Sequence, residues 1–435
     1  MVIESFSIEN IRCFENQTLH LNGKKWITLL GPNGCGKSTL LQSMALLLAG
    51  PEGAQKLLPR PVGWLRNEDS KARIGIRIQQ SERDPGQFGN DRVTRHFGYS
   101  FSLTGRKSMV VNNKTYTEPG IVENSQRVMT WLRLNALTSS GKGWFAAGYG
   151  AFRRLTRTSQ ILVPSLEPQA RYFNFQSQFV ESEPLSAFEQ WMVYLDYRLA
   201  KGDEQARRQR DLAITAIDHI LPGNTRFNSV TSEGRILFDV NGATVPTLSL
   251  SDGYRSLLAL SGDLVWRLIN AFPETSNPLN EQGVVLIDEL DIHLHPVWQR
   301  EIAQLLRMQF PNLQFIVATH SPLIAAGAGD DAMTLKFAFH NGKATVEEVK
   351  NLSALRVDAV LQSSAFGLVS PYSVQTQSKI DTYDGLIGKP NLSKQEKLQL
   401  NQLKFFFEES ETFHPKPQPG SLEAKIDAFL EETLS

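Results

Sequence analysis

One loop of this chain has residue types and spacing suited to gripping phosphate. Gly31-Pro32-Asn33-Gly34-Cys35-Gly36-Lys37-Ser38 sets three glycines, a lysine and a serine on a short turn. Glycine tolerates positive φ, so successive N–H groups can turn inward on an anion. A helix starting near Lys37 would add its positive end. The Lys37 ammonium then reaches the β- and γ-phosphates of a nucleotide, and the Ser38 hydroxyl is placed to ligate Mg²⁺. Asn33, Gly34, Cys35, Gly36, Lys37, Ser38 and Thr39 would line the cradle.

Three further groups lie downstream. Asp288-Glu289 follows the apolar run 284–287. Carboxylates at a buried strand end are costly unless a cation meets them. Mg²⁺ suits Asp288, and Glu289, one residue on, is placed to polarise an attacking water. Taken alone the pair reads equally as two solvated acids at a turn, and the glycine loop upstream favours the catalytic reading. Ser251-Asp252-Gly253 precedes a helical pattern and makes an anion site or a plain N-cap. His320 ends the apolar run 315–318 and could hydrogen-bond a γ-phosphate. By itself it is an ordinary turn histidine. One helix and one strand fit between Asp288 and His320, and that order favours the functional reading of both.

The elements that must hold these groups show as bursts of apolar residues. Residues 2–8, 18–21 and 26–30 read as strands, the third running into the glycine loop. Residues 38–49 read as a helix that Gly50-Pro51 ends. The span 72–140 reads as the β part of a first lobe, with runs at 74–78 and 109–116. A strand at 144–147 leads into the turn Gly148-Tyr149-Gly150-Ala151-Phe152-Arg153-Arg154. Apolar spacings of three and four predict two helices over 185–221, joined by the charged stretch 201–210. Strands near 225–240 are followed by a helix at 253–269, a strand at 283–288, a helix at 296–310 and a strand at 313–318. That order predicts a parallel sheet covered by helices. Beyond lie a Ser/Gln/Thr/Lys-rich stretch at 370–395 and helical patterns at 395–409 and 421–434. A Pro-rich segment at 414–420 separates the last two. The expected divisions are an N-terminal lobe (1–160), a helical insertion (161–224), a second lobe (225–350) and a C-terminal helical appendage (351–435).

The order of glycine loop, Leu250-Ser251-Asp252-Gly253-Tyr254, 284–296 and Ala318-Thr319-His320-Ser321-Pro322 resembles the ABC-type ATPases of the RecF and SMC kind. The resemblance implies an α/β P-loop head with ATP and Mg²⁺ as cofactors. It also implies two heads that sandwich ATP between one phosphate loop and the other's signature, as a homodimer or larger assembly. By that resemblance Ser251 and Gly253 touch the partner's ATP, and Leu290-Asp291 senses the opposite site. Arg12, in Asn10-Ile11-Arg12-Cys13-Phe14, approaches the nucleotide. Lys37, Glu289 and His320 are then the catalytic residues, and Ser38 and Asp288 the metal ligands. The sequence departs from the pattern at Asp252 and Tyr254. It also lacks an evident Q-loop glutamine, for which the turn 149–154 is offered first and Gln79 or Gln80 next. The interval between Tyr149 and Ser251 is too short for an SMC-type coiled-coil arm. Residues 359–368 and the Ser/Gln-rich stretch after them resemble the small ABC-type ATPases of bacterial anti-phage systems, the Septu ATPase subunit and retron-associated ATPases. That implies a separate nuclease or effector as partner.

Composition bounds the rest. Charged residues balance to a net charge of +0, so any nucleic-acid contact must be local. Arg153-Arg154-Arg157 and Arg207-Arg208-Arg210 are the densest basic runs. They read equally as contacts to double-stranded DNA, which the RecF-like kind binds over its dimer, and as solvated or phosphate-side arginines. The two cysteines form no disulfide framework, no apolar run approaches a bilayer span, and the start lacks a signal-peptide pattern, so a cytoplasmic chain without a membrane partner is expected. No zinc hook, HNH-like histidine cluster or nuclease acid cluster shows. The expectation is a slow ATP hydrolase that acts as sensor or regulator of a defence complex. The alternatives are a DNA repair or recombination ATPase and an ATP-binding scaffold with little hydrolysis.

Overall fold

A computed structural model describes residues 1–61, 63–67, 70–81, 96–103, 107–111, 114–118, 120–138, 143–151, 153, 170–180, 187–389 and 391–408. In chain order the first half comprises β1 (Val2–Ile11), β2 (Phe14–His20), β3 (Trp26–Leu30), α1 (Lys37–Leu57), β4 (Ala72–Gln79), β5 (His96–Leu103), β6 (Lys107–Val111), β7 (Lys114–Glu118), β8 (Ile121–Asn124), α2 (Gln126–Asn135) and β9 (Phe145–Tyr149). After the 3-10 helix Arg171–Gln178 come α3 (Ala187–Ala200), α4 (Glu204–Ile220), β10 (Arg226–Val230), β11 (Ile236–Val240), β12 (Ala243–Pro246), α5 (Asp252–Ala271), β13 (Gly283–Ile287), α6 (Pro296–Gln309), β14 (Leu313–Thr319), α7 (Pro322–Gly327), β15 (Met333–His340) and β16 (Lys343–Val349). The last helices are α8 (Val357–Gln362), α9 (Val374–Ile387) and α10 (Lys394–Glu408).

A six-stranded sheet in the order β16-β15-β3-β14-β13-β9 forms the centre, parallel except for β16. Its strands β9, β3, β13 and β14 are buried at every position and largely apolar, because both faces are covered. In β13, Val284 and Leu286 point to one core, and Val285 and Ile287 to the other. The first core joins this face to α1 and to the antiparallel sheet β2-β1-β4-β5-β8. The second packs the opposite face against α3, α4, α5 and α6. The fold is thus α/β, a mixed β lobe joined to a parallel sheet flanked by helices. Residues 361–363 and 367–435 cluster separately from residues 1–360 and 364–366. Within that second unit, α9 and α10 meet through Ile380, Tyr383 and Phe407.

Several details differ from the sequence reading. The helix after the glycine loop breaks at Gly50-Pro51 as read, where Gly50 has φ 79° and ψ 172°, but a second helical segment that the sequence reading did not include follows directly and runs to Leu57. Pro51 has no N–H to donate to Leu47. The structure supplies Tyr99, whose hydroxyl donates to the Leu47 carbonyl at 3.0 Å, and the buried Arg171, whose Nε donates to the Leu48 carbonyl at 2.7 Å. Residues 126–135, expected within a β region, form α2. The run at 109–116 is divided between the paired strands β6 and β7. Most of the charged stretch 201–210 lies inside α4. Within the Ser/Gln-rich stretch, α9 is helical and is started by Ser373, whose side chain accepts from Thr376 N. The helical pattern at 421–434, the Pro-rich segment before it, and Arg154 and Arg157 lie outside the described residues.

Gln314 joins the two sheets. It is fully buried on β14, accepts from Ile3 N at 2.7 Å and donates to the carbonyls of Ile3 (3.0 Å) and Lys24 (2.9 Å). Gln314→Leu keeps the volume but strands these main-chain groups. Stability measured by urea denaturation is expected to fall by about 2–3 kcal/mol.

Candidate nucleotide site

The parallel strands end together, and their C-terminal ends carry the charged groups. β3 feeds the loop 31–38 into α1. In that loop Gly31, Gly34 and Gly36 have φ of 153°, 76° and 101°. At Gly36 a Cβ would fall 2.5 Å from Cys13 Sγ and 2.7 Å from the Phe14 ring, so only glycine fits there. Lys37 is buried, and its ammonium donates to the carbonyls of Gly31 (2.7 Å) and Pro32 (3.0 Å) and lies 3.8 Å from Cys35 Sγ. Burial lowers the Lys37 pKa, against the charges of Cys35, Asp288 and Glu289. Asn33, Gly34 and Ser38 are exposed at the mouth, and Cys35 and Thr39 are buried beneath it. Arg12, in the left-handed region with φ 45°, reaches α1 from the turn after β1. Its Nη1 lies 3.2 Å from Thr39 Oγ1 and 3.3 Å from Gln42 Oε1, and its guanidinium stacks 4.5 Å over the Trp64 ring.

Asp288 and Glu289 follow β13. Burial pushes the Asp288 carboxyl above its ordinary range, although the Ser38 hydroxyl facing it pulls the other way. Asp288 Oδ1 is buried without a hydrogen-bond partner. A hydroxyl and an unsatisfied carboxylate oxygen facing each other fit a divalent cation. Among the described residues no group of three His, Cys, Asp or Glu forms a metal cage. The donor set therefore suits Mg²⁺, which keeps positions for phosphate and water. Glu289 has φ 48°, a conformation held by its surroundings.

The residue that fixes this end was assigned no structural role by the sequence. Arg153 is 4% exposed. Its Nη1 donates to the carbonyls of Asp288 (2.6 Å) and Gly150 (3.0 Å), and its Nη2 to that of Glu289 (2.8 Å). Burial lowers its pKa to about 10. It is therefore turned into the strand ends and is not a surface contact for DNA. In the second basic run, Arg207 pairs with Glu204 and Arg210 with Asp196.

His320 follows β14. Burial and the Lys37 ammonium lower its pKa, against Asp291 and Asp288, so the imidazole is neutral at neutral pH. The Asp291 carboxylate is engaged within its own chain: Oδ1 accepts from Thr319 Oγ1 (2.5 Å) and from His320 N (3.1 Å). Ser321 Oγ donates to Gln299 Oε1 at 2.7 Å, and Gln299 Nε2 donates to the carbonyl of Leu294 at 2.9 Å.

Ser251 stands at the N-cap position of α5, yet its hydroxyl makes no cap bond. With Leu248, Leu250, Asp252 and Arg255 it lines an open cleft of about 640 Å³. Gly253 abuts the loop after β13, where a Cβ would fall 2.6 Å from the His293 carbonyl. Tyr254 packs edge-on against Trp298, with centroids 4.6 Å apart. The structure thus gathers Arg12, Lys37, Ser38, Asp288, Glu289, Asp291 and His320 at one end of the parallel sheet. Ser251 and Gly253 stand on α5, which covers the opposite face from α1. Gln79 and Gln80 are removed from this end. Gln79 pairs with Val2, and β1 runs 10 residues, about 33 Å, from there toward Arg12.

The fold is that of an SMC-type, ABC-like ATPase head. The chain superposes on an SmcHead structure bound to the C-winged helix domain of ScpA with a TM-score of 0.50 and 13% identity, covering 82% of this chain and 100% of that one. Residues 27–326 match the family described as AAA domain, putative AbiEii toxin, Type IV TA system, and the chain belongs to that family. It is 26% identical to Septu protein PtuA of Bacillus mycoides (strain KBAB4) over 408 residues, 92% of this chain. The chain spans half the length of that relative, 50%. It is also 26% identical to the Retron Ec83 probable ATPase of Escherichia coli, covering 74% of this chain and 69% of that protein. A stretch of 84 residues, 19% of this chain and 16% of the relative, is 51% identical to the Retron Vc95 probable ATPase of Vibrio cholerae serotype O1 biovar El Tor. The resemblance to the Septu ATPase subunit and retron-associated ATPases expected from residues 359–368 is thus found among these relatives.

The raised carboxyl of Asp288 gives a testable sign. Burial holds its folded pKa above the ordinary aspartate value, so the folded chain disfavours the charge as pH rises through that window. Asp288→Asn is expected to raise the melting temperature of the ligand-free chain at pH 7 by about 2 °C or more. The gain should vanish below about pH 4, where both carboxyl forms are neutral. The same variant should lose the Mg²⁺ dependence of ATP binding. Scanning fluorimetry across pH and calorimetry with and without Mg²⁺ check the two arms.

Proposed function

We propose that this chain is an ATP hydrolase that closes two copies around ATP and serves as the sensor or regulatory ATPase of a bacterial anti-phage defence complex. A separate nuclease or effector would be its partner. The single observation that carries the ATPase reading is the meeting of Lys37, Ser38 and an unsatisfied Asp288 oxygen at the ends of β3 and β13. Relatives named Septu protein PtuA and retron probable ATPases support the defence role.

Each residue then has a stated task. The loop N–H groups and the Lys37 ammonium hold the β- and γ-phosphates. Arg12, beside Thr39, adds positive charge at the entrance. Ser38 and Asp288 would hold Mg²⁺, which would supply charge neutralisation at the phosphates. Glu289 holds the attacking water and takes its proton, while Arg153 fixes the carbonyls on either side of the Asp288–Glu289 peptide. Neutral His320 donates a hydrogen bond to the γ-phosphate. The free Ser251 hydroxyl and the N-terminus of α5 supply the anion site that a second copy would present. Because α1 and α5 cover opposite faces of the sheet, closure by a second copy is the arrangement that brings both to one nucleotide. Slow turnover suits a device in which the ATP-bound state is the signal.

The test is Glu289→Gln. It keeps the shape and removes the base, so phosphate release should fall on the order of 10²-fold or more, with ATP retained and a stable dimer seen by light scattering. A variant that neither traps ATP nor dimerises would sink the reading. Lys37→Ala is expected to weaken ATP binding by at least about tenfold, a loss of roughly 1.4 kcal/mol, in calorimetry.

A further inference from the structure

We propose that Arg267, a buried arginine on α5, is a positioning residue of the nucleotide site, acting through Asn174 to set the end of β9 against which Asp288 rests. This rests on the reading that ATP and a divalent cation occupy that end of the sheet. Arg267 has 11% of its side chain exposed and its partner Asp263 1%, and Arg267 Nε donates to Asp263 Oδ2 at 2.5 Å. The pair spans one turn of α5, which buries Leu260, Leu264 and Leu268 in the second core around it. A buried ion pair stabilises a fold little more than well-packed apolar side chains do, so the use of this one lies in what its donors hold in place.

Those donors lead to β9. Arg267 Nη1 donates to Asn174 Oδ1 at 2.5 Å, and Asn174 Nδ2 donates to the Ala146 carbonyl at 3.0 Å. Among the described residues β9 ends the sheet, so no strand takes the carbonyls on its outer side. Asn174 at Ala146, and the Ser177 hydroxyl at the Gly148 carbonyl (3.2 Å), stand in for one. On the inner side the Tyr149 carbonyl accepts from Asp288 N at 2.8 Å, and Arg153 joins the carbonyls of Gly150 and Asp288. The side that Arg267 fastens and the side against which Asp288 leans are therefore the two edges of one five-residue strand.

The Tyr149 side chain adds a second contact with the same pair. It is buried, and its hydroxyl faces Asp263 and Arg267. Burial, and then the Asp263 charge, hold the phenol well above its ordinary range, against the charge of Arg267. Yet the Tyr149 hydroxyl and Asp263 Oδ1 are both buried without a hydrogen bond of good geometry. Buried polar atoms are rarely left so, and these two satisfy each other if α5 and β9 draw slightly closer. Ser251 stands at the start of α5, about 18 Å along the helix from Asp263. The pair thus joins the helix that carries the proposed anion site to the strand beside Asp288.

The test uses the full chain, with ATP and Mn²⁺ as probes. The double variant Asp263→Asn/Arg267→Met removes the pair without leaving a lone buried charge. Asn174→Leu cuts the same link at its next member. ATP affinity is measured by calorimetry in EDTA, and Mn²⁺ affinity of the ATP complex by electron paramagnetic resonance. Each folded variant should bind metal-free ATP within about twofold of wild type and lose Mn²⁺ affinity on the order of tenfold. All three changes together should lose no more than the larger of the two separate losses, because they act in series. Unchanged Mn²⁺ affinity in either folded variant, an equal loss of metal-free ATP affinity, or additive losses would overturn the proposal while leaving the ATPase reading intact. Should either variant fail to fold, Arg267→Lys, which keeps the charge beside Asp263 but not the fork that also reaches Asn174, must show the same selective loss of Mn²⁺. Wild type that fails to bind Mn²⁺ with ATP would overturn the proposal, and unaltered ATP binding by Lys37→Ala would remove the ATPase reading itself.

Discussion

The buried guanidinium of Arg153 is the interaction on which the rest of the site depends. A parallel strand ends in a carbonyl that its neighbours no longer pair, and three such carbonyls, of Gly150, Asp288 and Glu289, converge beyond β9 and β13. Left unpaired in a buried place they would be unfavourable. A planar group with several donors in a fixed fork satisfies all three at once, which a lysine does not. The same contact sets the direction in which Asp288 and Glu289 leave the sheet. Burying that cation is itself unfavourable, and the charges of Asp288, Asp291 and Glu289 compensate for it. The acids that suit the chemistry thus also stabilise the group that aims them.

The loop after β13 is fixed in a similar way. Leu290 N donates to the Ala318 carbonyl, and Asp291 accepts from Thr319 and His320, so one end is anchored to β14. Gln299 holds the Leu294 carbonyl and Ser321, which anchors the other end to α6 and α7. Between them the His293 carbonyl lies against Gly253 at the start of α5. A loop with left-handed residues at Glu289 and His293 would be expensive to order by itself. These bonds to three neighbouring elements make it part of the framework.

What the sequence revealed follows from how local each signal is. The glycine loop, the run 284–287 and His320 each sit in a short stretch whose composition states its own geometry: glycines for positive φ, β-branched residues for a strand buried on both faces. The α/β order could be read for the same reason. The second helical segment beyond the Gly50-Pro51 break could not, because the Leu47 and Leu48 carbonyls at that break are met by Tyr99 and Arg171, distant in sequence. Arg153 looked like part of a basic run, since nothing adjacent reveals that it turns inward.

Several places where this chain breaks the ordinary rules of folding lie where its chemistry gathers. The buried Lys37 and Arg153, the Asp288 carboxyl oxygen without a donor, and Arg12 and Glu289 at positive φ all lie at or beside the C-terminal end of one sheet. Elsewhere the parallel strands are mostly apolar, and β13 alternates its side chains between two cores. A core of that kind tolerates a concentrated, unfavourable polar end because its own packing does not depend on that end. Unsatisfied groups fixed in place before a ligand arrives need little reorganisation when it does, and that suits this end of the sheet to a polar, charged ligand.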